Sequence, residues 1–229
     1  MIFLGSTTNM AEAMELFKII FFHELKILLK SRGAIFANFL YFFIFLTIFQ
    51  ILTQNFDKNL HSQLFIIGTI IATLTSIITI NNNFLEEDFR DGTLEQIIIN
   101  CQNLEIFVIA KCLANWISSS FLIALFASII LKIINLEILN FWQFFAVLIL
   151  NSLSLNFLLA LCGSLSMLGG FASIISIIAI PLALPILIMT SATINENYDL
   201  NIKILLALTI FIIAISSFAC GKIIKIANS

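Results

Sequence analysis

An all-α integral membrane protein with six transmembrane helices is the fold class this sequence predicts, and three observations carry it. The chain is 61% hydrophobic and 10% charged, with 24 Phe and two Pro in 229 residues, far from the values of a soluble domain. Six stretches are free of Asp, Glu, Lys and Arg through their middles, and twenty residues of helix cover about 30 Å, the thickness of a bilayer core. Six of the thirteen acidic residues (Glu86, Glu87, Asp88, Asp91, Glu95 and Glu105) fall within twenty positions, and a membrane protein keeps such a segment in water. The formal charge of −2 implies no anionic or cationic partner. Cys101, Cys112, Cys162 and Cys220 show neither C-x-x-C nor zinc-like spacing, so they are expected as small buried residues.

One membrane domain over residues 1–229 follows. Residues 1–15 hold no Lys or Arg, so no cleaved signal is read, and the weakly patterned residues 1–13 leave the start open between Met1 and Met14. From Met14 to Arg32 the pattern is that of an amphipathic interfacial helix. Leu16, Phe17, Ile20, Phe21, Ile27 and Leu28 share one face; Glu15, Lys18, His23, Lys26 and Lys30 share the other. Glu24 falls on the apolar face and breaks the pattern. The six spans are then 34–53, 64–80, 112–131, 141–167, 171–194 and 204–221. The second crosses only with its flanking residues, and the fourth only with tilt or an extension. Gly169-Gly170 predicts a tight turn between the fourth and fifth, and Pro181 with Pro185 predicts a fifth helix broken near its outer end.

Basic residues set the orientation. With both termini cytoplasmic, that side holds Lys18, Lys26, Lys30, Arg32, Arg90, Lys111, Lys222 and Lys225, against Lys58, Lys132 and Lys203 outside. The acidic segment, 83–103, is therefore expected in the cytoplasm. No ionisable group lies within a span so drawn, which argues against an ion-coupled pump. The chain lacks G-x-x-x-x-G-K-[ST], so any nucleotide is bound by another chain. No cluster of His, Asp, Glu or Ser converges on one depth, which disfavours a membrane enzyme.

Within the acidic segment, Asp91-Gly92 reads as a backbone break and Thr93 with Gln96 has capping-box spacing, so a short helix is expected from Thr93 to Asn100. At roughly 10 Å it lies along a surface. Its Ile97-Ile98-Ile99 run suits either a helix pressed into a groove on another protein or a solvated loop with isoleucines dipping into the headgroups.

Six spans, an interfacial N-terminal helix and a charged helix after span two resemble the membrane half of an ATP-binding-cassette exporter. More closely, the chain resembles the CcmB family of cytochrome c maturation permeases (haem exporter protein B). The matching strings are Glu87-Asp88-Phe89-Arg90-Asp91-Gly92-Thr93-Leu94-Glu95-Gln96-Ile97 and Ala110-Lys111-Cys112-Leu113-Ala114-Asn115-Trp116. Glu24-Leu25, Asn38, Phe42-Phe43, Gly169-Gly170, Pro181-Leu182 and Pro185 match as well, and the resemblance runs from about Met14 to the C-terminus. The chain departs from the pattern in three places. Glu86 replaces a basic residue and Met167-Leu168 a basic pair, removing positive charge from the cytoplasmic face. Asn115 replaces a histidine, which argues against a haem ligand there.

The resemblance implies an ABC-2-type exporter permease in the bacterial inner membrane, non-catalytic, with two copies in the complex. Its implied partners are an ATPase subunit (CcmA), a haem-handling membrane protein (CcmC), a small accessory subunit (CcmD) and, indirectly, the haem chaperone CcmE. ATP hydrolysis in the partner would drive release of the haem-loaded chaperone, described historically as haem export. The implied ATPase-coupling interface is Glu87, Asp88, Asp91, Gly92, Thr93, Leu94, Glu95, Gln96, Ile97 and Ile98. No cofactor or metal is expected on this chain, ATP and haem being handled by partners, and it contacts membrane lipid but no nucleic acid. His61 and His23 are expected as solvated residues and Met167 and Met189 as packing. The alternative is an exporter permease for a lipid or other hydrophobic compound.

Overall fold

The computed structural model describes residues 5–30, 32–81, 88–89, 91–100, 103–133, 140–169, 172–195 and 197–227. Among them every regular element is helical. The helices are α1 (Gly5–Lys30), α2 (Arg32–Thr53), α3 (Lys58–Asn81), α4 (Thr93–Asn100), α5 (Leu104–Asn115), α6 (Phe121–Ile133), α7 (Phe141–Gly169), α8 (Ala172–Asn195) and α9 (Tyr198–Ala227). A π-helical turn, Trp116–Ser120, joins α5 to α6 in one continuous rod. Among the described residues, five helices are long and apolar enough to cross a membrane, over 35–53, 60–78, 104–133, 141–168 and 198–227. The backbone of α8 adds 24 helical residues.

Two helix starts and one expected break differ from the sequence reading. The fifth helix is not broken: α8 runs through Pro181 and Pro185. Each proline removes one backbone bond, but opening the helix in lipid would strand further N–H and C=O groups with no water to satisfy them. The third apolar rod starts at Leu104 rather than Cys112, so Lys111, expected just ahead of that span on the cytoplasmic side, lies inside the helix and is 5% exposed. The first helix begins at Gly5, ahead of Met14. Gly170, half of the expected tight turn, lies outside the described residues.

α7 is the hub. It packs most heavily on α9 and α8, then on α6 and α3. Lipid gives apolar helices little reason to associate, so small residues and interhelical hydrogen bonds decide the packing. The α7 sequence supplies both. Asn151 donates to Thr73 of α3 (3.4 Å) and accepts from Thr190 of α8 (3.1 Å), and Ser154 pairs with Thr209 of α9 at 2.8 Å. Ser152 accepts the indole N–H of Trp116 at 3.0 Å. Asn156, fully buried on the same helix, has no partner for either amide atom among the described residues. At the π turn the carbonyl of Asn115 accepts the hydroxyls of Ser118 and Ser119, both at 2.9 Å.

α2 is tied to α3 by the Ser76 hydroxyl, which is 2.8 Å from Oδ1 of Asn38. A Cβ on Gly68 of α3 would sit 2.5 Å from the Phe49 ring, so glycine sets how closely the two helices approach. His61 is half-buried rather than solvated: its Nδ1–H donates to the Thr53 carbonyl at 2.9 Å, closing the turn between α2 and α3.

Candidate functional site

At the end of the bundle that carries α4, Asp88 and Phe89 are helical, and a turn at Asp91-Gly92 leads into the short helix α4. Gly92 sits at φ +72°, a conformation that side chains with a Cβ disfavour, and its N–H reaches the Phe89 carbonyl at 3.4 Å. Thr93 opens α4, and its hydroxyl donates back to the Asp88 carbonyl at 3.0 Å rather than standing alone as a cap. Leu94, Ile97 and Ile98 recur at helical spacing and so share one face. That face is turned into the chain's own core. Leu94 is fully buried, with Ile97, Ile98 and Phe89 packed beside it, in a cluster with Phe107, Val108, Phe157, Met167, Cys220 and Ile224. Asp91, Thr93 and Glu95 are exposed. Glu87 lies outside the described residues, as does the side chain of Gln96.

Above this seat stands Lys111, whose ammonium is hydrogen-bonded to Oδ2 of Asp88 and lies 3.7 Å from Oε2 of Glu24. The Phe107 ring is 5.8 Å from the same ammonium. The side chains of Lys111, Glu24 and Asp88 are 6%, 16% and 21% exposed, so the charges interact where water screens them poorly. Three separate segments meet at this one group: α1 through Glu24, the helical residues ahead of α4 through Asp88, and α5 through Lys111. The partner that Glu24 lacked in the sequence is Lys111.

The helix α1 follows from this contact. It lies along α5, and the half-buried positions are Leu16, Phe17, Ile20, Phe21, Glu24, Leu25 and Leu28, a stripe that includes Glu24. Ile19, Phe22, Ile27 and Leu29 are exposed on the other side. Ile27 therefore faces outward, against its assignment to the apolar face, because that face is defined by packing on α5. Met14 is 57% exposed.

The arrangement is an ion-paired junction held over an apolar seat. Among the described residues no three His, Cys, Asp or Glu side chains converge as a metal site. Of the ten residues read as a coupling interface, Leu94, Ile97 and Ile98 anchor α4 inward, Asp88 is engaged by Lys111, and Asp91, Thr93 and Glu95 remain outward. Glu24 and Lys111 were not among those ten. Their signal was an acid on an apolar helical face and a lysine at the margin of an apolar run, two misfits of opposite sign.

Helical rods crossing at a polar hub, with an amphipathic N-terminal helix and a short helix seated at one end, define a polytopic all-α membrane permease. The chain belongs to the CcmB protein family, whose model matches residues 14–227. It is similar to Heme exporter protein B of Haemophilus influenzae, 26% identical over 210 residues covering 89% of this chain and 95% of that one. Heme exporter protein B of Pseudomonas aeruginosa is 25% identical over 212 residues, covering 87% and 92%. An uncharacterised protein of Rickettsia conorii is 26% identical over 192 residues, covering 80% and 85%.

Proposed function

We propose that this chain is the membrane subunit of an ATP-binding-cassette complex of c-type cytochrome biogenesis, a non-catalytic haem-exporter permease whose ATPase is a separate chain, CcmA. Family membership and the names of its relatives support the class. The observation that carries the coupling role is Lys111, bound to both Asp88 and Glu24. Force on α4 has two routes into the bundle, through the apolar seat of Leu94 and through Asp88 to Lys111, and the second route also reaches α1. The outward side chains Asp91, Thr93 and Glu95 then meet the ATPase, with the acids facing basic groups across a rim.

In this reading α8 is the sixth span and the α4 end faces the cytoplasm with both termini, an orientation supported by eight basic residues against three. Two copies serve an ATPase dimer, alongside CcmC and CcmD in the bacterial inner membrane. ATP hydrolysis drives release of haem-loaded CcmE, and haem and ATP stay with the partner subunits. Reversing charge on the outward side tests it: Asp91→Lys with Glu95→Lys abolishes CcmA capture and cytochrome c maturation while the detergent-solubilised chain keeps its elution volume. Normal capture and maturation in that variant would overturn the coupling role of α4.

A further inference from the structure

Midway along the bundle, α7, α8 and α9 enclose a lateral groove of about 200 Å³. Its walls are apolar, with Leu161 of α7, Pro185 of α8, and Leu208, Phe211 and Ile215 of α9 among them, and no lining residue is His, Cys, Met or Tyr. Iron therefore has no ligand there. The α9 wall follows a helical stripe, 208, 211, 215, and the next members are Phe218 and Lys222. Phe218 is 58% exposed, and the Lys222 ammonium lies 5.4 Å from its ring, so the lysine leans back along the stripe toward the groove. Lys225 is exposed one turn further on. Among the described residues, neither lysine pairs with a carboxylate.

We infer that this groove is a binding site for one anionic phospholipid, its phosphate at Lys222 and Lys225 and one acyl chain laid along α9 into the groove. This goes beyond the coupling role of α4 and does not rest on it. The dimensions agree. From Lys222 back to Phe211 is eleven residues, about 16 Å of helix, and half of a roughly 30 Å hydrocarbon core is about 15 Å. Lysines near a lipid surface attract anionic headgroups, while the cation–π contact with Phe218 leaves the ammonium open to a phosphate. A second copy fits less well. A two-fold contact about an axis normal to the membrane would set the lysines of both copies at the same depth, like charge against like.

Native mass spectrometry of the detergent-purified chain titrated with dioleoylphosphatidylglycerol or dioleoylphosphatidylcholine tests the site. The expected result is one tightly retained phosphatidylglycerol, preferred over phosphatidylcholine by about fivefold per lysine. Lys222→Gln, at an exposed position, should lower that preference about fivefold without changing the thermal midpoint. Ile215→Trp, which fills the groove beside Phe211, should reduce retention of both lipids. Equal retention of the two lipids by the unmodified chain would overturn the proposal. So would loss of the preference in Lys222→Gln with Ile215→Trp unaffected, which is surface attraction alone. Loss of a dimer peak in Ile215→Trp with lipid retention unchanged would assign the groove to a second copy and overturn it too.

Discussion

Replacing Lys111 with methionine keeps an unbranched apolar stem and removes only the charge, which isolates the junction between α1, α4 and α5. The three described side chains sum to −1; in Lys111→Met they sum to −2, and Asp88 and Glu24 lose the cation they share among the described residues. Breaking a fully buried pair costs about 3–5 kcal/mol, and the residual exposure of both carboxylates lowers this to about 2–3 kcal/mol. For a chain of this size each kcal/mol moves the midpoint by about 2–4 °C, so thermal unfolding in detergent should shift down by about 4–12 °C. Because the site is poorly solvated, the loss should persist at high salt, unlike that of a surface pair. Asp88→Asn should cost nearly as much, and Glu24→Gln less, since it also relieves repulsion between the two acids. A double-mutant cycle between positions 111 and 88 should give a coupling above about 1.5 kcal/mol. A midpoint within 1 °C of the unmodified protein, or additivity of the two substitutions, would refute the junction.

Other positions give sharper local tests. Gly92→Ala meets no atoms but forces a Cβ onto φ +72°, so it should cost about 1–2 kcal/mol, with Gly92→Val costing more, read as a lower midpoint and weaker CcmA capture. Equal midpoints for the alanine variant would show that the turn relaxes. Leu94→Ala empties a fully buried position and should lose about 2–5 kcal/mol, whereas Glu95→Gln should leave stability unchanged and weaken CcmA capture in a salt-dependent way, by about 0.2–1 kcal/mol. Matched capture defects at low and high salt for Glu95→Gln would count against an ion pair there. Gly68→Leu should drive Phe49 aside and loosen α2 from α3, detected as faster proteolysis of the chain between them; unchanged proteolysis would mean the ring has room to move.

Hydropathy and the distribution of charge determined the class and the order of the rods, because a bilayer leaves the backbone few options and tolerates few charges, and the Asp91-Gly92 break with Thr93 behind it determined where α4 starts. The glycine at position 92 was legible for the same kind of reason: a positive φ admits few residues. Which way a face points was not. Leu94, Ile97 and Ile98 read as a surface offered to a partner, and only the packing of α5, α7 and α9 showed that the chain covers that face itself. Likewise Glu24 and Lys111 are 87 positions apart, and nothing local pairs them; their ion pair exists because α1 lies along α5. Periodicity describes one helix at a time, whereas burial and charge pairing belong to two or more, so the amphipathic pattern alone fixed that α1 has an inner face and tertiary contact alone fixed what that face meets.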